Sequence, residues 1–404
     1  MNNFSSAIKF FLAAAIVIIL GALLGWYTFI HRQIAATDAE SNARGTTIPT
    51  FGGQTGSINA NISGTADTGE APPGKAAPRL WHVTKNPVAG DGFASATSTI
   101  YFAELSSGNV LIGDPSTSAV VRLSNTLMPK SYEARFAPDG SVILRSVGES
   151  GAVQTYAARL ATSTESVDST STPMMLKGLY LPQDILEITT VPALKLLYLI
   201  SDNVGGASLI QSDWSGATQK KLFSSPLLEW QLQVSPENTI VLTQKAADNL
   251  PGSAYALSGS TLRPLVENVP GLILRIGKGG AMLYSSSNGA PDLYAQASAS
   301  AAPVHLPIRT SADKCVFAAS GLTAYCAVPT ANPGGYLSAR FQGTVHTSDS
   351  WYRIDMSAGT AEKFFTPDPS IALDVENPQI DANGLYLAFQ NGADRSLWML
   401  RIMQ

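Results

Sequence analysis

Between Arg135 and Ser146 the chain reads RFAPDGSVILRS, in which a Pro-Asp-Gly turn separates one apolar position from a run of Val, Ile and Leu that suits a strand. The same order of apolar run, turn residues and second apolar run returns in ITTVPALKLLYLISD (Ile188–Asp202), LQVSPENTIVLTQ (Leu232–Gln244) and RIGKGGAMLYSSSNG (Arg275–Gly289). It returns again in VFAASGLTAYCAVP (Val316–Pro329) and QIDANGLYLAFQNG (Gln379–Gly392). Each copy predicts two strands joined by a tight turn. A third short strand with an aromatic or bulky apolar centre follows each: QTYAARL (Gln154–Leu160), ASLIQSDW (Ala207–Trp214), SAYALSG (Ser253–Gly259), PDLYAQA (Pro291–Ala297), SWYRIDM (Ser350–Met356) and SLWMLRI (Ser396–Ile402). An earlier unit, TIYFAELSSGNVLIGD (Thr99–Asp114), brings the count to seven.

The centres of these units lie about 40 to 60 residues apart, roughly 46 residues per unit, which is the period of a β-propeller blade. A sheet of three or four strands cannot cover its own faces and must stack on neighbours around a ring. The pattern therefore predicts an all-β, seven-bladed β-propeller over residues 79–404, with RFAPDGSVILRS as the inner hairpin of one blade. A pair of smaller β-sandwich domains is the alternative.

FAPDGSVILR, VSPENTIVL and DRSLWMLRI together resemble the WD40-like repeats of TolB-type propellers, over roughly Leu80 to Gln404. The Pro-Asp-Gly turn is intact at Ala137–Gly140, whereas VSPEN carries Glu and Asn in its place, and the Gly-His and Trp-Asp signatures of true WD40 repeats are absent. The whole chain also resembles membrane-anchored propeller proteins of small-genome bacteria, a resemblance that implies an anchor, a tether and a propeller and supplies no activity.

The first eighty residues differ in kind. Phe10–Ile30, FFLAAAIVIILGALLGWYTFI, carries no charge. As a helix it would span about 31 Å, the thickness of a bilayer core. It is longer than a secretory signal's apolar region and ends in Trp26 and Tyr27 at interfacial depth. The reading is an uncleaved signal anchor, with a signal cleaved within IAATDAE as the alternative. Lys9 and the N-terminus on one flank nearly balance Arg32 and Arg44 on the other. The short tail 1–9 is expected in the cytoplasm and the large remainder outside it. Residues 31–78, rich in Gly, Ser, Thr and Pro, read as a flexible linker with a reach on the order of 37 Å.

Composition narrows the function. Charged residues make up 14% of the 404 and the net charge is −4. No Lys/Arg cluster is interleaved with aromatics, which argues against nucleic acid as a partner. The two cysteines, Cys315 and Cys326, are too few for a zinc site of the four-ligand kind. A two-residue turn at Ser320-Gly321 in CVFAASGLTAYC sets them opposite each other at the wider, hydrogen-bonded kind of cross-strand pair. They are a candidate disulfide if the domain is exported, worth roughly 2 to 3 kcal/mol for so short a loop, and otherwise two small buried apolar residues.

Candidates for catalysis are few. His82, His305 and His346 are the histidines of the domain, and none sits in a ligand-like pair. Gly148–Ala152 (GESGA) approximates a nucleophile elbow at Ser150 but lacks the final Gly. GKGG at Gly277–Gly280 lacks the ends of a phosphate loop. Asp248, Asp313, Asp349, Asp374 and Asp381 show no calcium-loop spacing and read as solvated or turn residues. Trp214, Trp351 and Trp398 recur in third strands and read as packing between blades.

No catalytic, cofactor or metal residue is assigned, and no cofactor is expected. By analogy of fold, the expectation is a non-enzymatic, single-pass protein of the cytoplasmic membrane. Its extracytoplasmic propeller would serve as a protein-binding or scaffolding module for an envelope partner. A propeller that binds a small molecule or glycan in its channel, and a propeller hydrolase, are the alternatives.

Overall fold

The computed structural model describes residues 75–162, 174–191, 195–202, 204–331 and 336–403. The tail 1–9, the apolar run Phe10–Ile30 and the linker as far as residue 74 lie outside them. Among the described residues no helix is long and apolar enough to cross a membrane.

A first strand, β1 (Leu80–Thr84), precedes blade 1, which is β2 (Val88–Phe93), β3 (Ile100–Glu104), β4 (Val110–Asp114) and β5 (Ala119–Arg122). Blade 2 is β6 (Ser131–Phe136), β7 (Val142–Val147), β8 (Val153–Thr162) and β9 (Met174–Tyr180); blade 3 is β10 (Ile185–Val191), β11 (Lys195–Ser201), β12 (Ala207–Asp213) and β13 (Gln219–Ser225). Blade 4 is β14 (Trp230–Val234), β15 (Ile240–Gln244), β16 (Pro251–Ser258) and β17 (Thr261–Pro270); blade 5 is β18 (Ile273–Ile276), β19 (Met282–Asn288), β20 (Ala290–Gln296) and β21 (Val304–His305). Blade 6 is β22 (Cys315–Phe317), β23 (Thr323–Pro329), β24 (Asp349–Asp355) and β25 (Thr360–Phe365), with a short helix α1 (Tyr336–Phe341) between its second and third strands. Blade 7 is β26 (Val375–Ile380), β27 (Tyr386–Asn391) and β28 (Leu397–Arg401), completed on its outer edge by β1.

The seven blades expected from the repeats are thus present as seven four-stranded antiparallel meanders, in one ring and not two sandwiches. The quoted hairpins are the inner pairs of blades 2 to 7, and the third strands are β8, β12, β16, β20, β24 and β28. What the repeat did not announce is the closure. Trp81 pairs with Met399 and His82 with Trp398, so the strand nearest the linker is knitted to the last one. Lys75–Pro78, read as the end of the linker, continues this packing: Ala77 is buried and its N–H donates to Pro115 O at 2.8 Å.

The second strand of each blade is covered on both faces. VILRSV, KLLYLIS and YLAFQN accordingly read as continuous buried runs and not as an in-out alternation. Seven apolar clusters, one at each seam between neighbouring blades, hold the ring. Trp214 fills the seam of blades 2 and 3, and Trp351, fully buried, meets Phe389 of blade 7 with ring centroids 5.4 Å apart. Trp398 instead stacks on His82 at 4.0 Å within blade 7.

The inner turns repeat as backbone more faithfully than as residues. In blade 2 Ala137 N donates to Ser141 O, Gly140 N donates to Ala137 O, and Gly140 has φ 82°. In blade 4 Ser235, Asn238 and Thr239 make the same two bonds with φ 66° at Asn238, a residue that tolerates the left-handed region. VSPEN is therefore the same turn in other residues.

Blade 6 departs by one residue. Its turn closes between Ala318 N and Thr323 O, leaving four residues in the loop where the sequence suggested two. The register is as expected, Cys315 opposite Cys326, but the added length moves that pair to the narrower, non-hydrogen-bonded class. The Cα atoms are 4.1 Å apart and the two sulfurs are bonded. The bond lies in the seam of blades 5 and 6. Replacing both cysteines with serine is expected to lower unfolding free energy by about 2 to 3 kcal/mol in denaturant titrations, with the β-sheet circular dichroism retained. Loss of the cooperative transition would show that the bond holds the ring and not one blade.

Candidate functional site: the central channel

The first strand of every blade is a sheet edge, and its free carbonyls face the axis of the ring. An unpaired buried carbonyl is costly. Long donor side chains from a neighbouring blade satisfy many of them. At the seam of blades 7 and 1, Gln379 Nε2 donates to Asp91 O at 2.8 Å, and at that of blades 2 and 3, Arg145 Nη2 donates to Ile185 O at 2.7 Å. Gln233 Nε2 bridges blades 4 and 5 to Leu274 O at 2.6 Å, and Arg275 Nη2 reaches Asp313 O of blade 6 at 3.3 Å. Lys314 Nζ reaches Val375 O of blade 7 at 3.1 Å. Between blades 1 and 2 the backbones themselves close in: a Cβ at Gly90 would sit 1.9 Å from Ala134 O.

This arrangement borders an open polar cavity of about 520 Å³ on the axis. The first strands of blades 1, 2, 3, 5 and 7 supply most of its wall. Arg135, Arg275 and Arg395 carry its positive charge and Asp91 and Glu133 its carboxyls, with Gln379, Gln390 and Asn377 beside them. Glu133 and Arg135, two apart on β6, point to the same side, and their side chains meet at 2.7 Å; Arg145 Nη1 holds the other carboxyl oxygen at 2.9 Å. Burial alone would raise the Glu133 carboxyl, but the Arg135 and Arg145 charges outweigh it and hold it low. Arg395 Nη2 donates to Tyr132 O at 3.0 Å.

Two groups are under-compensated. Burial and the like charges of Arg135 and Arg340 lower the Arg275 guanidinium, with Asp313 as the opposing charge. Its Nε is buried and has no hydrogen-bond partner among the described residues. Asp91, 4% exposed, is pushed from its ordinary 3.8 to about 7 by burial, against a hydrogen bond of 2.9 Å from Gln390 Nε2.

Beside the channel, Lys314 is wholly buried between blades 6 and 7. Its Nζ lies 2.6 Å from both Asp349 Oδ2 and Asp374 Oδ1 and 3.0 Å from Thr347 Oγ1. Val375 N donates to Asp349 Oδ2 at 2.8 Å, and His346 Nδ1 sits 3.1 Å from Asp374 Oδ2. Burial opposes ionisation of Asp374, but Lys314 with its hydrogen bonds prevails and lowers it. Above this cluster Asp313 pairs with Arg340 of α1; burial again opposes, and the Arg340 charge brings Asp313 down to about 2.

These positions revise the sequence reading of the acids. Asp349 and Asp374 are buried ligands of Lys314, not solvated charges, and Asp313 is ion-paired. Asp381 is a turn residue, accepting from Leu385 N at 2.7 Å, and Asp248 accepts from Ser338 N at 2.8 Å. Ser150 lies in the β7–β8 hairpin loop and GKGG in the inner turn of blade 5. None of His82, His305 or His346 lines the cavity: His82 stacks on Trp398, His305 lies on β21 3.7 Å from Asp292, and His346 bonds Asp374. Among the described residues no group of three metal-ligating side chains converges.

No protein-family model matches the chain, and no curated protein matches it by sequence. Among solved structures it is similar to virginiamycin B lyase from Staphylococcus aureus, at 12% identity and TM-score 0.46, over 79% of this chain and 96% of the lyase. It is also similar to TolB from Acinetobacter baumannii, at 14% identity and TM-score 0.39, over 78% of this chain and 79% of TolB. The Pyrococcus horikoshii acylaminoacyl peptidase aligns at 11% identity and TM-score 0.47, over 75% of this chain and 49% of the peptidase. The likeness is one of fold.

The raised Asp91 carboxyl sets a pH dependence. Folded protein holds a proton there that the unfolded chain releases near 3.8, so this contribution to stability is complete below about pH 4 and is lost as pH rises through about 7. Asp91→Asn is expected to flatten that fall, worth at most about 4 kcal/mol, in denaturant titrations across pH 4 to 8. An unchanged slope would show Asp91 ionised in the fold.

Proposed function

We propose that the protein is a non-catalytic binding module that takes a small polar ligand in its central channel and is held outside the cytoplasmic membrane by its N-terminal segment. The observation that carries this reading is the cavity itself. Its volume lies within the range of ligand pockets, roughly 300 to 1,000 Å³, and its wall gathers charged and amide side chains from five blades. Much of that polarity caps strand edges, but the Arg275 Nε, the accessible Arg135 head, Asn377 and the Thr189 and Thr190 positions have no such duty in the bonds described above. The absence of a histidine from the wall removes the base of a histidine-dependent hydrolase there. The apolar run Phe10–Ile30 supports the anchor, and the bonded pair Cys315–Cys326 suits an oxidising compartment.

A protein partner in the envelope is the second reading. It is favoured by the outer edge of blade 2, where Leu127, Met175 and Tyr180 are 71%, 49% and 59% exposed.

Full-length protein purified from its native membrane distinguishes the two when it is analysed for small molecules and for bound proteins beside a Thr190→Trp variant that fills the channel. A small molecule retained by the wild type and lost from the variant is the expected result. A stoichiometric protein retained equally by both, with no small molecule in either, contradicts the channel reading.

A further inference from the structure

Two arginines from well-separated blades, Arg135 of β6 and Arg275 of β18, line the same cavity. Arg135 is held at its Nε by Glu133 at 2.7 Å, with Glu187 4.0 Å from Nη2, yet 43% of its side chain stays accessible inside the channel. Arg275 is less well served. Its opposing charge, Asp313, bonds Arg340 through Oδ2 and keeps Oδ1 buried without a partner; the one hydrogen bond of Arg275 is a long contact to the Asp313 carbonyl, and its Nε has no acceptor among the described residues. The Arg135 and Arg340 charges both act against it.

Blade 7, on one arc between them, adds the amides Asn377, Gln379 and Gln390 beside Arg395, and blade 3, on the other arc, the Thr189 and Thr190 positions; Gln379 and Gln390 give their Nε2 atoms to Asp91, which leaves their oxygens as acceptors. Amides and hydroxyls exchange hydrogen bonds with hydroxyl groups in either direction. Of the charged residues that line the cavity, Arg135, Arg275 and Arg395 face Asp91 and Glu133, three cations to two carboxyls.

We infer that the channel ligand is a monoanion whose carboxylate is taken by Arg275 and Arg135 and whose body carries hydroxyl groups that face the amides of blade 7. This rests on the channel reading above and names its chemistry. A carboxylate matches the planar fork of a guanidinium and supplies the acceptor that Arg275 lacks. The class that combines these features is the sugar acids, of which a uronate is the simplest probe.

The test is calorimetric titration of the full-length protein in detergent with D-glucuronate, D-glucose and D-glucose 6-phosphate. Glucuronate is expected to bind at least about tenfold more tightly than glucose, the size of one charge-assisted pair. Arg275→Gln should remove that advantage and leave glucose unchanged, while Arg275→Lys restores part of it. Lys195→Gln, at the start of β11, serves as a surface control and should change nothing. Far-UV circular dichroism identifies any variant that fails to fold, and the sugar comparison on the wild type stands without the variants.

Equal binding of glucose and glucuronate that the channel-filling Thr190→Trp abolishes overturns the carboxylate and leaves the channel site standing. Tighter binding of the sugar phosphate overturns it in favour of a dianion. Glucuronate binding that survives Thr190→Trp overturns both this inference and the channel reading, and binding of none of the three overturns the sugar acid.

Discussion

A propeller's difficulty lies at its axis, where seven sheets each present an unpaired edge to a narrow space. This chain meets it by sending Gln379, Arg145, Gln233, Arg275 and Lys314 across five seams to carbonyls of the next blade. The consequence runs outward. Charges are scarce in the chain as a whole, 14% of residues, yet several of them are spent on the axis, where hydrogen bonds in a low dielectric are strong and orphaned groups are costly. The polarity of the channel is thus first a structural necessity. Only what exceeds that necessity bears on a ligand.

The apolar seams and the polar axis divide the work. Seven clusters between blades supply the burial, and β1 closes the ring by pairing with β28, so no open seam remains between the first and last blades. Blades 6 and 7 carry an additional polar fastening in Lys314 with Asp349, Asp374 and Thr347. A buried cation held by two carboxylates is costly to disrupt even where its net contribution to stability is small. It fixes how those two blades meet, beside the helix α1 that carries Arg340 toward Asp313.

The ring was legible in the sequence because each blade is a local unit: strand, turn, apolar strand, aromatic strand, repeated at short range. Even so, the repeat is one of hydrogen bonding more than of residues, as Gly140 and Asn238 show by taking the same turn. The blade 6 hairpin was legible in its register but not in its loop, because pairing numbers that sum alike fit loops of two or four residues equally well. The axis was not legible. Gln379 and Asp91 lie 288 residues apart, and nothing local marks an inner-strand Gln or Arg as a cap for a distant carbonyl. Asp349 and Asp374 looked solvated for the same reason, since the Lys314 that buries them is 35 and 60 residues away.

The central claim is that the axis holds more cation than its strand edges require and that a ligand supplies the balance. The most direct measurement is a high-resolution experimental structure of the full-length protein purified from its native source without added ligand, read at the channel. Density larger than water, with a planar acidic group against Arg275 and Arg135 and its remainder along Asn377, Gln379 and Gln390, is the predicted result. Ordered water alone between these side chains, with Arg275 Nε bonded to it, would contradict the account and leave the channel a purely structural feature.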